Sequence, residues 1–222
     1  MQRLDKVLVE RGLAATRTQA QKLIESGLVA SHISGNWQVL KKPSLKVPSD
    51  ALLQVGNHPD MRFASRAGLK LEAALQALKL NVTGMTALDI GQSTGGFTDC
   101  LLHYDASKVV GVEVGHDQLL PRLREQPSVI CLEGINARNM GDELLVHAKE
   151  GFDIAVMDVS FISQTLIVPR VPRLLKLGGH FVSLVKPQLE RGAQAQDKHG
   201  AVKDAASYRP LERKMRETAK SA

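Results

Sequence analysis

The sequence predicts an α/β fold, in which a doubly wound, mostly parallel sheet is preceded by a small α+β domain. From residue 67 onward helical and strand-like patterns alternate regularly, as they do in β-α-β units. The first 56 residues instead hold two short helical patterns followed by strand-like pieces, and a polar connector follows at residues 57–64. We therefore expect one domain at residues 1–56 and a second at residues 65–222.

The first domain begins with two helical patterns. The first has apolar residues at helical spacing and ends at Gly12. The second opens with Thr16 and Gln19, which match a capping box, and it ends at Gly27. Residues 28–55 alternate in short pieces between turn signals, which indicates small strands and at least one hairpin.

The larger domain is predicted to contain five strands and the helices that connect them. The strands are expected at residues 86–90, 108–114, 129–133, 152–158 and 180–186, and the helices at residues 67–80, 96–104, 117–126, 140–149, 163–176 and 204–219. In a sheet of this kind ligands bind outside the carboxyl ends of the strands, where the strand order reverses.

A glycine-rich loop follows the first of these strands in ALDIGQSTGGFTDC, residues 87–100. Gly91, Gly95 and Gly96 have the spacing G-x-x-x-G-G, which is not the G-x-G-x-x-G of dinucleotide sites. No Lys-Ser/Thr pair follows the glycines, so the loop is not a phosphate loop either. Its bare backbone would let a ligand approach closely, although a plain tight turn is the alternative interpretation.

Charged residues stand where the predicted strands end. Asp89 ends the first strand, Glu113 the second, Asp158 the fourth and Lys186 the fifth. An acid about twenty residues beyond such a loop can accept hydrogen bonds from ribose hydroxyls. A ribose-binding acid beside a loop without phosphate machinery fits S-adenosylmethionine as the cofactor.

The net charge of +6 is concentrated at the two ends of the chain. Residues 1–56 carry eight Lys/Arg against four Asp/Glu, residues 57–186 thirteen against fourteen, and residues 187–222 eight against five. This distribution predicts that the ends contact a polyanion, and a basic protein without such a partner is the alternative.

Composition argues against several other classes of protein. The two cysteines lie in apolar segments, so we expect neither a disulfide framework nor a metal site. No signal-peptide core or membrane-spanning apolar run is present, so we expect a cytoplasmic protein without stable membrane association.

The first domain resembles the small RNA-binding domain of a ribosomal small-subunit protein and of pseudouridine synthases. The motifs R-L-D-x-x-L-V-E-R-G-L-A and T-R-T-Q-A-Q-K-L-I-E-S-G-L-V carry the resemblance over about residues 1–55. The residues expected to bind RNA are Arg3, Lys6, Arg17, Gln21, Lys22 and Arg66. For each of them a merely solvated surface position is the alternative.

Further motifs resemble those of the TlyA family, bacterial RNA 2′-O-methyltransferases with an FtsJ-type catalytic domain. They are S-R-A-G-L-K-L-E-A-A-L, A-L-D-I-G-Q-S-T-G-G-F-T-D-C-L-L, V-x-V-G-x-x-Q-L, N-A-R, M-D-V-S-F-I-S and L-V-K-P-Q, and the match runs from residue 1 to about residue 190. The resemblance implies a Rossmann-like methyltransferase fold, with ribose 2′-hydroxyls of cytidine in ribosomal RNA, or in ribosomal subunits, as substrate. Some members of the family carry a haemolysin label.

The resemblance also implies the site residues. Of the catalytic set Lys-Asp-Lys-Glu, three members match Lys70, Asp158 and Lys186. The cofactor-binding residues are expected to be Asp89, Gly91, Gln92, Ser93, Thr94, Gly95, Gly96, Phe97, Glu113, Asn136, Ala137 and Asp158.

The chemistry of a ribose hydroxyl agrees with this set. The hydroxyl is a poor nucleophile at neutral pH and must lose its proton as it attacks the methyl group. We expect Lys186 to be the base, Lys70 to orient the hydroxyl, and Asp158 to position the lysine and the methyl donor.

The chain also departs from the family pattern. Ala67 stands where a second glycine is usual and Gln92 where a small residue is commoner. No glutamate matches the fourth catalytic position, which the family carries on a strand beyond the helix that follows L-V-K-P-Q. We therefore expect the 222-residue chain to have little or no activity while it still binds the cofactor.

Two other functions are therefore weighed against methyl transfer. The first is an RNA- or ribosome-binding protein that binds the cofactor without turnover. The second, more remote, is a membrane-lytic haemolysin. The sequence does not indicate an oligomeric state.

Overall fold

The structure is a computed structural model that describes residues 1–33, 36–56, 62–160, 162–190 and 208–220. The chain divides into two compact units, Met1–Arg66 and Ala67–Ala222. We call them the N-terminal and the C-terminal unit. Residues 57–61 of the predicted linker, residues 34–35 of the predicted hairpin turn and residues 204–207 of the last predicted helix lie outside the described residues.

The described residues of the N-terminal unit form two helices and five short strands. In chain order they are β1 (Gln2–Arg3), α1 (Leu4–Glu10), α2 (Arg17–Glu25), β2 (Val29–Ile33), β3 (Asn36–Val39), β4 (Lys46–Val47) and β5 (Leu53–Val55). β1 pairs antiparallel with β4, and a second antiparallel sheet has the order β3-β2-β5. The apolar faces of α1 and α2 pack with Val29 and Leu40 in one buried core.

The predicted ends of both helices are confirmed. The Thr16 hydroxyl accepts the Gln19 backbone N–H at 3.2 Å, and the Gln19 side chain accepts the Ala15 N–H at 2.6 Å. This is the reciprocal arrangement of a capping box, shifted by one residue on the return bond. Gly12 and Gly27 follow the helices with φ of +67° and +72°, conformations that glycine adopts without steric cost.

The C-terminal unit is built on a five-stranded sheet. Its elements are α3 (Ala67–Leu78), β6 (Thr86–Ile90), α4 (Gly96–His103), β7 (Lys108–Glu113), α5 (Pro121–Arg124), β8 (Val129–Glu133), β9 (Phe152–Met157), β10 (Leu175–Ser183), α6 (Pro187–Glu190) and α7 (Tyr208–Lys220). Every strand pair is parallel and the order is β10-β9-β6-β7-β8, which confirms the predicted parallel α/β sheet. The chain runs outward from β6 in both directions, so the strand order reverses between β6 and β9.

Three of the predicted helices are wrong. The region 117–126 forms only the four-residue helix α5, and the region 140–149 forms a 3₁₀ helix at Asp142–His147. The region 163–176 forms three consecutive 3₁₀ turns, Gln164–Leu166, Val168–Arg170 and Pro172–Leu174. Pro169 and Pro172 have no backbone N–H, so an α-helix could not run through this segment.

The position of the last strand also differs from its prediction. β10 begins at Leu175, earlier than the predicted residue 180, and it ends at Ser183, before Lys186. Its pairing with β9 is irregular between Leu175 and His180. Gly178 has φ +78° within this irregular segment, a conformation that tolerates the shift in register.

Among the described helices, none combines the length and the apolar character that a bilayer crossing requires. Within the described residues, no three His, Cys, Asp or Glu side chains gather in a group able to hold a metal ion.

Candidate active site

A cleft of about 580 Å³ lies beyond the carboxyl ends of β6, β7 and β9 in the C-terminal unit. This is where ligands bind in open parallel sheets, because the strand order reverses there. Six of the residues predicted to bind a cofactor line the cleft, namely Gly91, Ser93, Glu113, Asn136, Ala137 and Asp158.

The loop after β6 is held against both neighbouring strands. The backbone N–H groups of Gly91 and Gln92 both donate to the Val112 carbonyl, at 3.0 and 3.2 Å. Gly91 has φ +84°, and a Cβ atom there would stand 2.9 Å from the Asp158 carbonyl oxygen. A glycine is therefore required at residue 91 so that the loop can lie against the chain that leaves β9.

The side of Gly95 that would carry a Cβ atom faces packed leucine side chains and not the cleft. This residue has φ +95°, and an added Cβ atom would overlap the Leu123 side chain and lie 2.7 Å from Leu119 Cδ1. That a ligand contacts the backbone of Gly95 stays a prediction; the structure shows only that the Cβ side of this residue faces the two leucines. Its neighbours Thr94, Gly96 and Phe97 are likewise not among the described residues that line the cleft, and Phe97 is buried.

Asp89 and Gln92 also lie behind the cleft instead of lining it. Both are buried, and Thr98 joins them: its hydroxyl donates to Asp89 Oδ2 at 2.7 Å and accepts from Gln92 Nε2 at 2.9 Å. Burial raises the pKa of Asp89 to about 7; the charges of Asp158 and Glu113 add to the rise, and the Thr98 hydrogen bonds oppose it. These residues support the glycine loop from within the protein.

Glu113 ends β7 and faces the cleft. Its Oε2 accepts the Ser93 backbone N–H at 2.9 Å, and its Oε1 accepts the Gly115 N–H at 2.9 Å. An ionised carboxylate has about four acceptor positions, so two remain for a ligand. The glycine loop thus fixes this carboxylate at the edge of the cleft.

Asp158 and Lys186 form an ion pair next to the same cleft. The Lys186 Nζ lies 2.5 Å from Asp158 Oδ1, and it donates hydrogen bonds to the Val159 carbonyl and the Ser160 hydroxyl, both at 2.9 Å. The two side chains are only 20% and 16% exposed, so solvent screens the pair weakly. The structure therefore brings two of the three predicted catalytic residues together.

Lys70, the third predicted catalytic residue, lies exposed in the first turn of α3. In the described part of the chain, neither a hydrogen bond nor an ion pair joins it to Asp158 or Lys186. Its assignment thus has no geometric support comparable to that of the other two.

In the N-terminal unit, a buried carboxylate gathers three of the predicted RNA-binding residues. Asp5 accepts two hydrogen bonds from Arg3, at 2.9 and 3.0 Å, and one each at 3.0 Å from Arg17 and Gln21. The Arg3 guanidinium contributes most to holding the pKa of Asp5 well below its usual range, and Gln21 and Arg17 add to the effect against the cost of burial. The arginines remain 42% and 59% exposed, so their outer faces are accessible.

The other predicted RNA-binding residues lie outside this cluster. Lys6 pairs with Glu10 at 3.5 Å, Lys22 is half-buried, and Arg66 is exposed.

Several cleft residues were not predicted. Gln118 accepts the Ser93 hydroxyl at 3.2 Å, Ser160 accepts from Lys186, and Arg138 lines the cleft beside Asn136. They stand within the motifs V-x-V-G-x-x-Q-L, M-D-V-S-F-I-S and N-A-R, respectively, so these motifs could have predicted them. Of the apolar wall, formed by Ile135, Ile162 and Ile167, only Ile162 stands within a quoted motif, because the wall assembles from separate segments of the chain.

Two family models match the chain. The model described as FtsJ-like methyltransferase matches residues 63–221, and the model described as S4 domain matches residues 2–53. The first match alone covers more than half of the chain.

Individual proteins match over nearly the whole chain. A candidate rRNA methyltransferase, YqxC from Bacillus subtilis, is 41% identical over 214 residues, which is 96% of this chain and 74% of the relative. The 16S/23S rRNA (cytidine-2′-O)-methyltransferase TlyA from Mycobacterium tuberculosis is 39% identical over 202 residues, which is 91% of this chain and 73% of the relative.

A solved structure agrees with these sequence matches. The structure of a candidate hemolysin from Streptococcus thermophilus is similar with a TM-score of 0.71 at 37% identity, covering 98% of this chain and 77% of that one. Identity at this level over both domains shows that the chain belongs to the TlyA family of methyltransferases, in which an S4 domain precedes an FtsJ-like catalytic domain.

Proposed function

We propose that this chain transfers the methyl group of S-adenosylmethionine to ribose 2′-hydroxyls of ribosomal RNA. This proposal replaces our expectation from the sequence that the chain has little or no activity. The observation that carries the proposal is the Asp158–Lys186 ion pair at a cleft whose opposite edge holds the Glu113 carboxylate. The family membership supplies the reaction class, and the names of the relatives supply the substrate.

The residues of the cleft fit the cofactor. A volume of about 580 Å³ lies within the range of small-molecule sites. The two carboxylates, Glu113 and Asp158, suit a ligand that carries a ribose and a positive charge, while the isoleucine wall suits an apolar ring. Bound S-adenosylmethionine would supply an electrophilic methyl group on a positively charged sulfur.

In this proposal Glu113 accepts hydrogen bonds from the ribose of the cofactor. Its two occupied acceptor positions bind backbone N–H groups, so the carboxylate is already oriented before a ligand arrives. Ser93 and Gln118 border the same side of the cleft and extend the polar surface.

Lys186 and Asp158 act on the RNA hydroxyl. Lys186 in the observed arrangement is an ammonium that faces three acceptors, so it fixes position and charge. To act as the base, Lys186 must first release one proton to solvent, and one of its contacts must open. Its free amine then takes the proton of the 2′-hydroxyl as the oxygen attacks the methyl group, and Asp158 stabilises the ammonium that forms. Lys70 is retained as a candidate for orienting the hydroxyl, on the resemblance alone.

The N-terminal unit would hold the RNA. Arg3 and Arg17 keep their outer faces exposed while Asp5 fixes their inner faces, which presents two guanidinium groups in defined positions to phosphate oxygens.

Glu113→Gln provides the test. We expect it to weaken S-adenosylmethionine binding by about 10-fold or more in calorimetry, because a charged hydrogen bond to the ribose is lost. The matched control is Glu125→Gln, which alters an exposed acid that does not line the cleft. Equal affinities for the two variants would contradict the cofactor site.

Methyl transfer is tested separately with labelled S-adenosylmethionine and purified ribosomal RNA or subunits. The label should be found on ribose 2′-oxygens of the RNA. Label on bases, or on no nucleotide at all with cofactor binding intact, would contradict the proposed reaction.

A further inference from the structure

The sheet β3-β2-β5 of the N-terminal unit has one face that its own core does not cover. We call this the outer sheet face and define it by six residues: Ala30, His32, Trp37, Val39, Leu52 and Gln54. The direct cross-strand pairs His32↔Trp37 and Ala30↔Val39 place two rows of side chains on it, and Gln54 pairs with Ala30 from the other side. The His32 N–H donates to the Leu52 carbonyl at 3.0 Å, which continues the first row onto the segment before β5.

Strand periodicity shows why these side chains face outward. Ser31 and Leu40 are buried, at 4% and 8% exposure, and neighbouring residues in a strand point to opposite faces. Trp37, Val39 and Lys41 therefore share the outer side. An added Cβ on Gly27 would lie 3.6 Å from the Val39 side chain and 3.8 Å from the Lys41 side chain, so these two side chains lie side by side near the end of α2.

Three large apolar side chains of the outer sheet face are exposed to solvent. Trp37 is 51% exposed, Val39 55% and Leu52 64%. Tryptophan is enriched where proteins bind partners, because its ring offers a large contact area and few rotatable bonds. Trp37 contacts His32 edge to face, with ring centroids 5.4 Å apart and an interplanar angle of 71°.

The charges around this face favour a polyanion. Lys41, Lys42 and Lys46 are all exposed on the segment that follows Trp37, and the first 56 residues carry a net charge of +4. An aromatic ring beside flexible cations is the combination by which proteins bind unpaired nucleotides, with the ring stacking on a base and the cations contacting phosphates. Of these lysines, Lys41 lies beside Val39 on the outer sheet face, and a purely apolar protein partner would not require a cation there.

We propose that the outer sheet face binds an unpaired nucleotide of the RNA, with its base stacked on Trp37 and its phosphate at Lys41. The inference rests on the proposed function, because it assumes that RNA is the substrate. It adds a contact surface separate from the Arg3–Arg17 pair, with selectivity for unpaired over fully paired RNA.

The chain contains a single tryptophan, so its intrinsic fluorescence reports on this face directly. We would titrate the full chain with an RNA hairpin that carries an unpaired loop and with a fully paired duplex of the same length. Binding of labelled RNA would be followed independently by fluorescence anisotropy. Quenching of Trp37 that saturates with hairpin binding, and is much weaker with the duplex, is the expected result.

Variants make the test quantitative. Trp37→Ala should weaken hairpin binding by about 5- to 150-fold, the range measured for loss of one stacked base, whereas Trp37→Phe should retain most of the affinity. Leu177→Ala serves as the control, since it removes a fully exposed apolar side chain in the other unit. Thermal unfolding would establish that the variants remain folded.

Several outcomes would overturn the inference. RNA that binds and becomes methylated without affecting Trp37 fluorescence, or with unchanged affinity in Trp37→Ala, would refute the stacked nucleotide and leave the proposed function standing. A blue shift with vesicles of phosphatidylglycerol and phosphatidylcholine, and none with RNA, would assign the face to a membrane surface. Absence of all RNA binding would refute both proposals.

Discussion

The contacts of the Lys186 side chain give information that its sequence motif does not contain. The motif L-V-K-P-Q predicts that this lysine is catalytic, but it does not show that the Lys186 Nζ atom lies against Asp158, Ser160 and the Val159 carbonyl together. A side chain with three acceptors is held in one orientation. At the scale of the residue, these contacts support the proposal that Lys186 is held in a fixed position before it takes part in proton transfer.

We expect Lys186→Ala to lower methyl transfer by about 10²-fold or more, since it removes both the positioning charge and the proposed base. Binding of S-adenosylmethionine should persist. The matched control is Lys176→Ala, because Lys176 of β10 forms a second lysine–aspartate pair with Asp153 of β9, at 2.9 Å and away from the cleft. If both variants lost activity equally, the effect would be one of sheet stability and the catalytic assignment would fail.

Asp89 predicts a dependence of stability on pH. Its folded pKa of about 7 lies above the ordinary aspartate value, so between about pH 4 and 7 the folded protein keeps a proton that the unfolded chain releases. The free energy of unfolding should thus fall, by up to about 1.4 kcal/mol per pH unit, as the pH rises through this window, and level off above it.

Asp89→Asn should remove that slope. Urea unfolding of both proteins at several pH values, followed by circular dichroism, measures the difference. Trp37 fluorescence follows unfolding of the N-terminal unit in the same samples. The dependence of its unfolding free energy on pH should be the same in the two proteins. A constant difference in unfolding free energy from pH 5 to 8 would show that Asp89 ionises normally.

At the scale of the element, helices and strands with a continuous apolar face were predicted correctly, whereas the structure of several connecting segments was not. Strands β6, β8 and β9 and helices α3 and α4 were found within about two residues of their predictions, because each buries a continuous apolar face. The regions 117–126, 140–149 and 163–176 have apolar residues at helical spacing, but they form only the short helix α5, one 3₁₀ helix and three 3₁₀ turns. Prolines interrupt the third region. The spacing of apolar residues indicates which positions are buried, but burial alone does not produce an α-helix.

The candidate site shows the same division. Residues at strand ends, such as Glu113 and Asp158, could be predicted because parallel strands bring their carboxyl ends to one edge. The direction of a loop side chain could not be predicted in the same way: Gln92 was expected in the cleft, but its side chain is buried and contacts Thr98.

Gly95→Val tests whether residue 95 packs against the leucines behind the loop. A branched side chain would meet Leu119 and Leu123 in a backbone conformation that valine disfavours, so we expect a loss of several kcal/mol in the stability of the C-terminal unit. Adding Leu123→Ala should recover part of that loss, which a double-mutant cycle in urea would measure. A fully stable Gly95→Val protein with impaired cofactor binding would instead restore the original interpretation of the loop.

At the scale of the whole molecule, charge and chemistry are divided between the two units. The N-terminal unit holds a basic surface and the C-terminal unit holds the cleft, whose edge is acidic. Binding of RNA and binding of cofactor should therefore respond to different substitutions.

The double variant Lys6→Ala, Lys22→Ala should weaken RNA binding and reduce the slope of log K against log salt by about 2, if each lysine contacts one phosphate. We choose these lysines because neither pairs with Asp5, so their removal leaves that cluster intact. A variant with the same charge change in the other unit, Lys79→Ala, Lys149→Ala, is the control. An unchanged slope for the first variant would place the phosphate contacts elsewhere.

The two lysine–aspartate pairs of β9 and β10 have a further consequence, for the fidelity of folding. Lys176–Asp153 lies near the start of the two strands and Lys186–Asp158 lies just beyond their ends, with the irregular segment at Leu175–His180 alongside the first. A slip of β10 by one residue would turn its side chains to the opposite face of the sheet and separate both pairs. A chain with β10 in the wrong register would therefore lose the Lys186–Asp158 pair together with the Lys176–Asp153 pair. If Lys186 has the proposed role, methyl transfer then requires that β10 pairs in the native register.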